Sequence, residues 1–133
     1  MVAYSFRPRF ETAIREGWKT QTIRKGHKRH ASKGHMLQLF TGMPTVHCKK
    51  ICPDVCCTGV SIILISFDNR REINRIMIGG IDVHDFDVFA VRDGFIDIGD
   101  MSEFWRREHG PLAGLEFNGM LIKWAAPLFE AIA

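Results

Sequence analysis

The chain has 133 residues, 46% hydrophobic and 25% charged, which suits one domain with its own core and argues against a disordered chain. No apolar run approaches the roughly 18 residues needed to span a bilayer, and "MVAYSFRPRF" lacks the apolar centre of a secretory leader, so a cytoplasmic protein with no membrane partner is expected. The net charge of +3 hides an asymmetry: residues 1–50 hold eleven Lys and Arg against Glu11 and Glu16, whereas residues 51–133 hold seven against thirteen acids.

Tyr4 to Phe6 reads as a short strand, and Pro8 suits the first turn of a helix, where its missing N–H would be unpaired anyway. Phe10, Ala13 and Ile14 recur at helical spacing, and Gly17 stands where that helix would stop. "TQTIRK" alternates as a strand from Thr20 to Lys25, and the polar, glycine-bounded "GHKRHASKG" is a loop. "HMLQLFTGM" predicts a strand ending at Gly42. From Thr45 to Ser66 the residues predict two or three strands broken at Pro53 and Gly59, and "REINRIMIGGIDV" adds another. The period then changes. Phe86, Phe89 and Ala90 share a helical face closed by Gly94, and Asp100 followed by Glu103 reads as a helix cap with its reciprocal partner in "MSEFWRREHG". "FNGMLIKW" is the final strand. The sum is five to seven strands and three short helices in a single α+β domain over residues 1–133. A partly open antiparallel β-barrel flanked by helices accommodates this order best.

The basic half concentrates its charge in "RKGHKRHASKGH". Arg24, Lys25, Lys28, Arg29 and Lys33 are interleaved with small residues, and glycine lets backbone N–H groups approach a phosphate that lysine and arginine neutralise. This points to a loop gripping a nucleic-acid backbone, against the plainer alternative of a solvated charged loop. No aromatic interrupts the segment, so base stacking would come from elsewhere, with Trp18 and Phe40 as candidates.

In "KTQT" a lysine of depressed pKa would serve as a general base and a neighbouring threonine hydroxyl as a nucleophile. Strict strand alternation separates Lys19 from Thr22. The two meet only if Lys19 belongs to the turn before the strand, which Gly17 permits. Asp93 stands at the C-terminal end of a predicted helix, where an anion is disfavoured; that placement raises a carboxyl pKa or marks a site, or it is an ordinary Asp-Gly turn. Cys48, Cys52, Cys56 and Cys57 lack the paired spacing of a zinc site and read as small buried thiols in strands, so neither metal nor cofactor is expected. His84 and His109 have no evident partner and read as structural.

These residues together resemble a known family. "F-x3-I-x2-G-x-K-T-x-T-I-R", carried by Phe10, Ile14, Gly17, Lys19, Thr20, Thr22, Ile23 and Arg24, resembles the opening signature of ASCH domains. "KGHMLQLFTGM", "RDGF", "MSEFW" and "GMLIKW" resemble the rest of that pattern in order, across essentially the whole chain. The resemblance implies a PUA-like barrel with helices around a cleft for single-stranded RNA or a modified nucleoside. One branch of the family hydrolyses acetylcytidine, with the motif lysine as base, the second threonine as nucleophile and a glutamate as proton donor. Lys19 and Thr22 match the first two positions, and Asp93, one methylene shorter, best matches the third. Another member is described as a ribonuclease, an activity the basic loop would also serve. A small regulator docking on an acidic protein is the remaining alternative, and an exposed apolar patch beside the basic loop would mark it.

Overall fold

The structure is a computed structural model and describes residues 2–26, 30–43, 45–109 and 115–127. Strand β1 (Val2–Phe6) leads through a 3-10 turn at Pro8–Phe10 into helix α1 (Glu11–Glu16), and β2 (Gln21–Lys25) follows. Next come β3 (Met36–Thr41), the two-residue β4 (Lys49–Lys50), the long β5 (Val55–Phe67), and a hairpin of β6 (Ile73–Ile78) with β7 (Ile81–Asp82). Helices α2 (Phe86–Arg92) and α3 (Ile98–His109) precede the last strand, β8 (Glu116–Trp124).

The eight strands form one sheet organised by β5. Its first residues pair with β3 (Met36 opposite Cys56), Cys57 to Ser66 pair with β8, and Ile63 to Phe67 pair with β6 on the other side. Beyond β8 lies β2, and beyond β3 lies β1. Among the described residues no backbone ladder joins β1 to β2, so the sheet is not closed into a barrel.

Three expectations need correction. The sheet is mixed rather than antiparallel, because β1 runs parallel to β3, with Val2 opposite Leu37 and Phe6 opposite Thr41. Parallel neighbours need a crossover, and the segment containing α1 and β2 supplies it. Gly59 does not break a strand: β5 runs through it, and the register against β8 shifts between Cys57 and Gly59, so glycine marks a bulge. Asp100 does not cap α3, since Asp97 accepts from the Asp100 N–H one turn earlier, leaving Asp100 to bind Arg9 and the Ile96 N–H.

The core follows the pleat. Leu37, Leu39 and Thr41 are buried on alternate positions of β3, as are Ile63, Ile65 and Phe67 on β5. Helix α3 closes over this layer with Met101, Ser102 and Trp105, and the buried Ser102 hydroxyl accepts the Ile73 N–H at 3.1 Å. Helix α1 contributes Ala13 and Ile14, and Phe10 just before it packs edge-on against Phe95 and Phe104. Asp85 caps α2 by accepting the Val88 N–H, the end at which a carboxylate suits the helix dipole.

Candidate functional site

Lys19 owes its position to the end of α1. Gly17 takes a left-handed conformation (φ +85°), and the N–H groups of Trp18 and Lys19 turn back to the Ala13 carbonyl. The Thr20 N–H then bonds to the Arg92 carbonyl at the end of α2, while the Thr20 carbonyl accepts from the Trp124 N–H. Lys19 therefore lies in the turn before β2, as required for it to share a cleft with Thr22. The docking of that turn on α2 brings it beside Asp93.

Both charged groups are buried, Lys19 with 3% and Asp93 with 5% of its surface exposed. The ammonium donates to the carbonyl oxygens of Gln21 (2.8 Å) and Asp93, and its Nζ lies 4.0 Å from Asp93 Oδ1. Gln21, also buried, donates from Nε2 to that same Oδ1 at 3.3 Å. The Phe6 and Phe10 rings flank the ammonium at 5.4 and 4.8 Å. Burial lowers the Lys19 pKa to about 8; Asp93 opposes that fall, and Arg24 and Arg9 add to it. Burial likewise raises the Asp93 carboxyl to about 6, against the pull of Lys19, the Gln21 hydrogen bond and Arg24. Desolvation dominates at Asp93, rather than the helix-end placement that singled it out in the sequence.

Thr22 Oγ1 accepts from Arg24 Nε at 3.0 Å, and Arg24 also donates to the Ser5 carbonyl at 2.8 Å. Its guanidinium lies over Tyr4 and Phe6, 5.1 and 4.9 Å from the ring centres. Arg24 thus spans the interval between β2 and β1, which the backbone leaves unpaired. The ammonium of Lys19 is engaged with main-chain carbonyls, and the group donating to the Thr22 hydroxyl is Arg24.

Lys19, Thr22, Arg24 and Asp93 line one cavity of about 330 Å³ together with Phe6, Phe10, Phe95, Phe104, Trp105 and Phe117. Arg7, Lys25 and His109 line it too, with Arg7 paired to Glu108. These aromatic walls are not legible in the sequence, and the stacking candidates Trp18 and Phe40 do not line the cavity. The signal was diffuse, because the rings arrive from β1, the 3-10 turn, the α2–α3 connection, α3 and β8. His109 was read as structural and is a cavity residue, its ring 4.5 Å from that of Trp105 and its pKa lowered by burial.

Of the residues expected to bind nucleic acid, Arg24 and Lys25 line the cavity. Lys28 and Arg29 lie outside the described residues. Lys33 is exposed on a turn whose Gly34 N–H bonds to the Cys57 carbonyl, and it does not line the cavity. The chain after the basic loop is anchored to β1, where Tyr4 Oη accepts the Ala31 N–H at 3.2 Å and lies 3.3 Å from His30 Nδ1. All four cysteines are free thiols, but the expectation of buried thiols in strands holds for Cys57 alone: Cys48 and Cys56 are exposed, and Cys48 and Cys52 lie outside the strands. Among the described residues no three His, Cys, Asp or Glu side chains are grouped to hold a metal ion, and no helix is long and apolar enough to cross a membrane. No family model, curated protein or solved structure matches this chain.

Proposed function

We propose that this chain is an ASCH-type, PUA-like domain whose cleft binds a single-stranded RNA or nucleotide through one nucleobase-sized ligand group. The observation that carries the reading is the shared cavity, in which buried Lys19, Thr22 and Asp93 and half-buried Arg24 meet a wall of aromatic rings. Its volume of about 330 Å³ falls at the small end of ligand pockets. Ring faces suit a planar base, buried donors and acceptors suit its carbonyl and amino edge, and Lys25 at the cavity's edge suits phosphate. The partly open barrel belongs to the same proposal: β2–β8–β5–β3–β1 form a circuit that Arg24 spans through a side chain.

The test is a titration of labelled single-stranded RNA at two salt concentrations, followed by fluorescence anisotropy. Affinity falling steeply with salt, and falling again when Lys25, Lys28 and Arg29 become alanine, is the expected result. Absence of binding at low salt overturns the reading.

A second reading is favoured by the sharing of one cavity by Thr22 and two titratable groups of shifted pKa. It makes the protein an amidohydrolase on acetylcytidine-type nucleosides. Neutral Lys19, released from its carbonyl partners, takes the Thr22 hydroxyl proton as that oxygen bonds to the acetyl carbon. Protonated Asp93 gives its proton to the departing cytidine amine as the C–N bond breaks, and water then hydrolyses the acetyl-Thr22 ester to release acetate. Unchanged acetylcytidine turnover in Thr22→Val would remove it.

A further inference from the structure

Beside the cleft, and sharing Lys25 with it, lies an apolar groove of about 570 Å³. It crosses the sheet from the end of β2 over β8 and β5 to β6, and is lined by Ile62, Leu64, Met77, Gly119 and Met120. The strand register explains why these residues meet: Met120 faces Ile62, Leu64 faces Met77, and Gly119 faces Lys25. Gly119 is required there, since a Cβ would come within 2.5 Å of the Arg24 carbonyl oxygen and 2.7 Å of the Phe117 ring. Without that side chain β2 packs closely on β8 and brings Lys25 to the border of both spaces. Ile62 is 65% exposed, a large apolar side chain left open in the middle of a long strand.

Two cavities that accept planar or apolar groups, bordered by one lysine between them, call for a ligand of matching design: two such groups joined by an anion. We infer that the groove is a second base subsite, so that the protein binds a dinucleotide step, with one base in the cleft, the linking phosphate at Lys25 and the adjacent base against Ile62, Met77 and Met120. Methionine suits this role because its thioether makes favourable contacts with ring systems and adapts to their position. The inference rests on the nucleotide reading of the cleft. It adds a length requirement that a lone nucleoside does not meet.

Isothermal titration calorimetry with the dinucleotide CpC and with both 3′- and 5′-cytidine monophosphate tests it. Each monophosphate carries more charge than the single linking phosphate of CpC, so any advantage of CpC comes from its second nucleoside. The expected result is binding of CpC about tenfold or more tighter than either monophosphate. Ile62→Glu and, separately, Ile62→Ser should reduce CpC to the monophosphate level while leaving monophosphate affinity unchanged, which also reports an intact fold. Equal affinities for CpC and the monophosphates in the unaltered protein, or loss of neither ligand in Ile62→Glu, overturn the inference, leave the cleft reading standing and return the groove, an apolar patch beside the basic loop, to the protein-docking alternative. Failure of all three ligands to bind overturns the inference and the cleft reading together.

Discussion

The Lys19 ammonium stands 4.0 Å from Asp93 Oδ1, yet donates its hydrogen bonds to two main-chain carbonyls, one of them Asp93's own. The pair is therefore held by the backbone at the junction of α1, β2 and α2 more than by direct contact between charges. Removing one member of a buried pair leaves the other uncompensated, at a cost of about 3–5 kcal/mol. Lys19→Met should lose stability on that scale in urea denaturation, because the carboxylate and both carbonyls lose their cation. Adding Asp93→Asn to Lys19→Met should recover at least about 1 kcal/mol of the loss, since a neutral amide tolerates burial better than an unpaired carboxylate. Strictly additive losses in the double variant would show that the two groups are not coupled.

The same burial dictates an unusual pH profile. Asp93 is raised from 3.8 to about 6, so between those values the folded state binds more protons than the unfolded state and stability falls as pH rises. Lys19 is lowered from 10.5 to about 8, so between about 8 and 10.5 the unfolded state binds more protons and stability rises with pH. Glu11 and Asp82 act in the opposite sense to Asp93 at acid pH, being lowered by bonds to Lys49 and Arg75. The Asp93 contribution is isolated by comparison with Asp93→Asn. The variant should gain on the unaltered protein by on the order of 2–3 kcal/mol as pH rises from 4 to about 6.5. A constant difference between the two across that range would contradict a raised Asp93 pKa.

Gly94 is the contact point between the α2–α3 connection and the Lys19 side chain. Its φ is +98°, and a Cβ there would lie 2.7 Å from both Lys19 Cδ and Phe10 Cδ1. Gly94→Ala combines backbone strain with overpacking, and should destabilise by about 2–4 kcal/mol in thermal or urea unfolding. Gly34→Ala is the control, because Gly34 also has a positive φ (+91°) but open space around its Cα. It should cost about 1 kcal/mol, from strain alone. Equal losses at the two positions would mean that the approach of Lys19 and Phe10 contributes nothing.

Much of this arrangement was legible from local signals. Gly17 announced the end of α1, and "HMLQLFTGM" announced β3, which ends at Thr41 just before Gly42. Asp93 before Gly94 stood out because a carboxylate is misplaced at a helix end. What escaped the sequence was what long-range packing decides. The parallel pairing of β1 with β3 leaves no trace in the pattern of either strand. Gly59 was misread because an isolated glycine looks the same in a bulge as in a break. The aromatic walls escaped for a different reason. Phe6, Phe10, Phe95, Phe104, Trp105 and Phe117 each look like ordinary core residues, and only the fold brings their rings to one cavity.

Arg24, expected among the nucleic-acid-binding residues, lines the cleft and also ties two strands together. Its side chain turns inward and donates to Thr22 Oγ1 and to the Ser5 carbonyl, across the interval between β2 and β1 where no ladder is found among the described residues. A lysine keeps the charge but lacks the planar fork that reaches two acceptors at once. Arg24→Lys should therefore destabilise the protein by about 1–3 kcal/mol and free one of the two oxygens. Hydrogen exchange provides the more specific readout: amides of β1 and β2 should exchange faster in the variant, while those of the β5–β6 ladder, which does not depend on Arg24, keep their protection. A uniform rise in exchange across all strands would show that Arg24 acts on global stability alone. Unchanged exchange in β1 and β2 would show that the two strands hold their places without it.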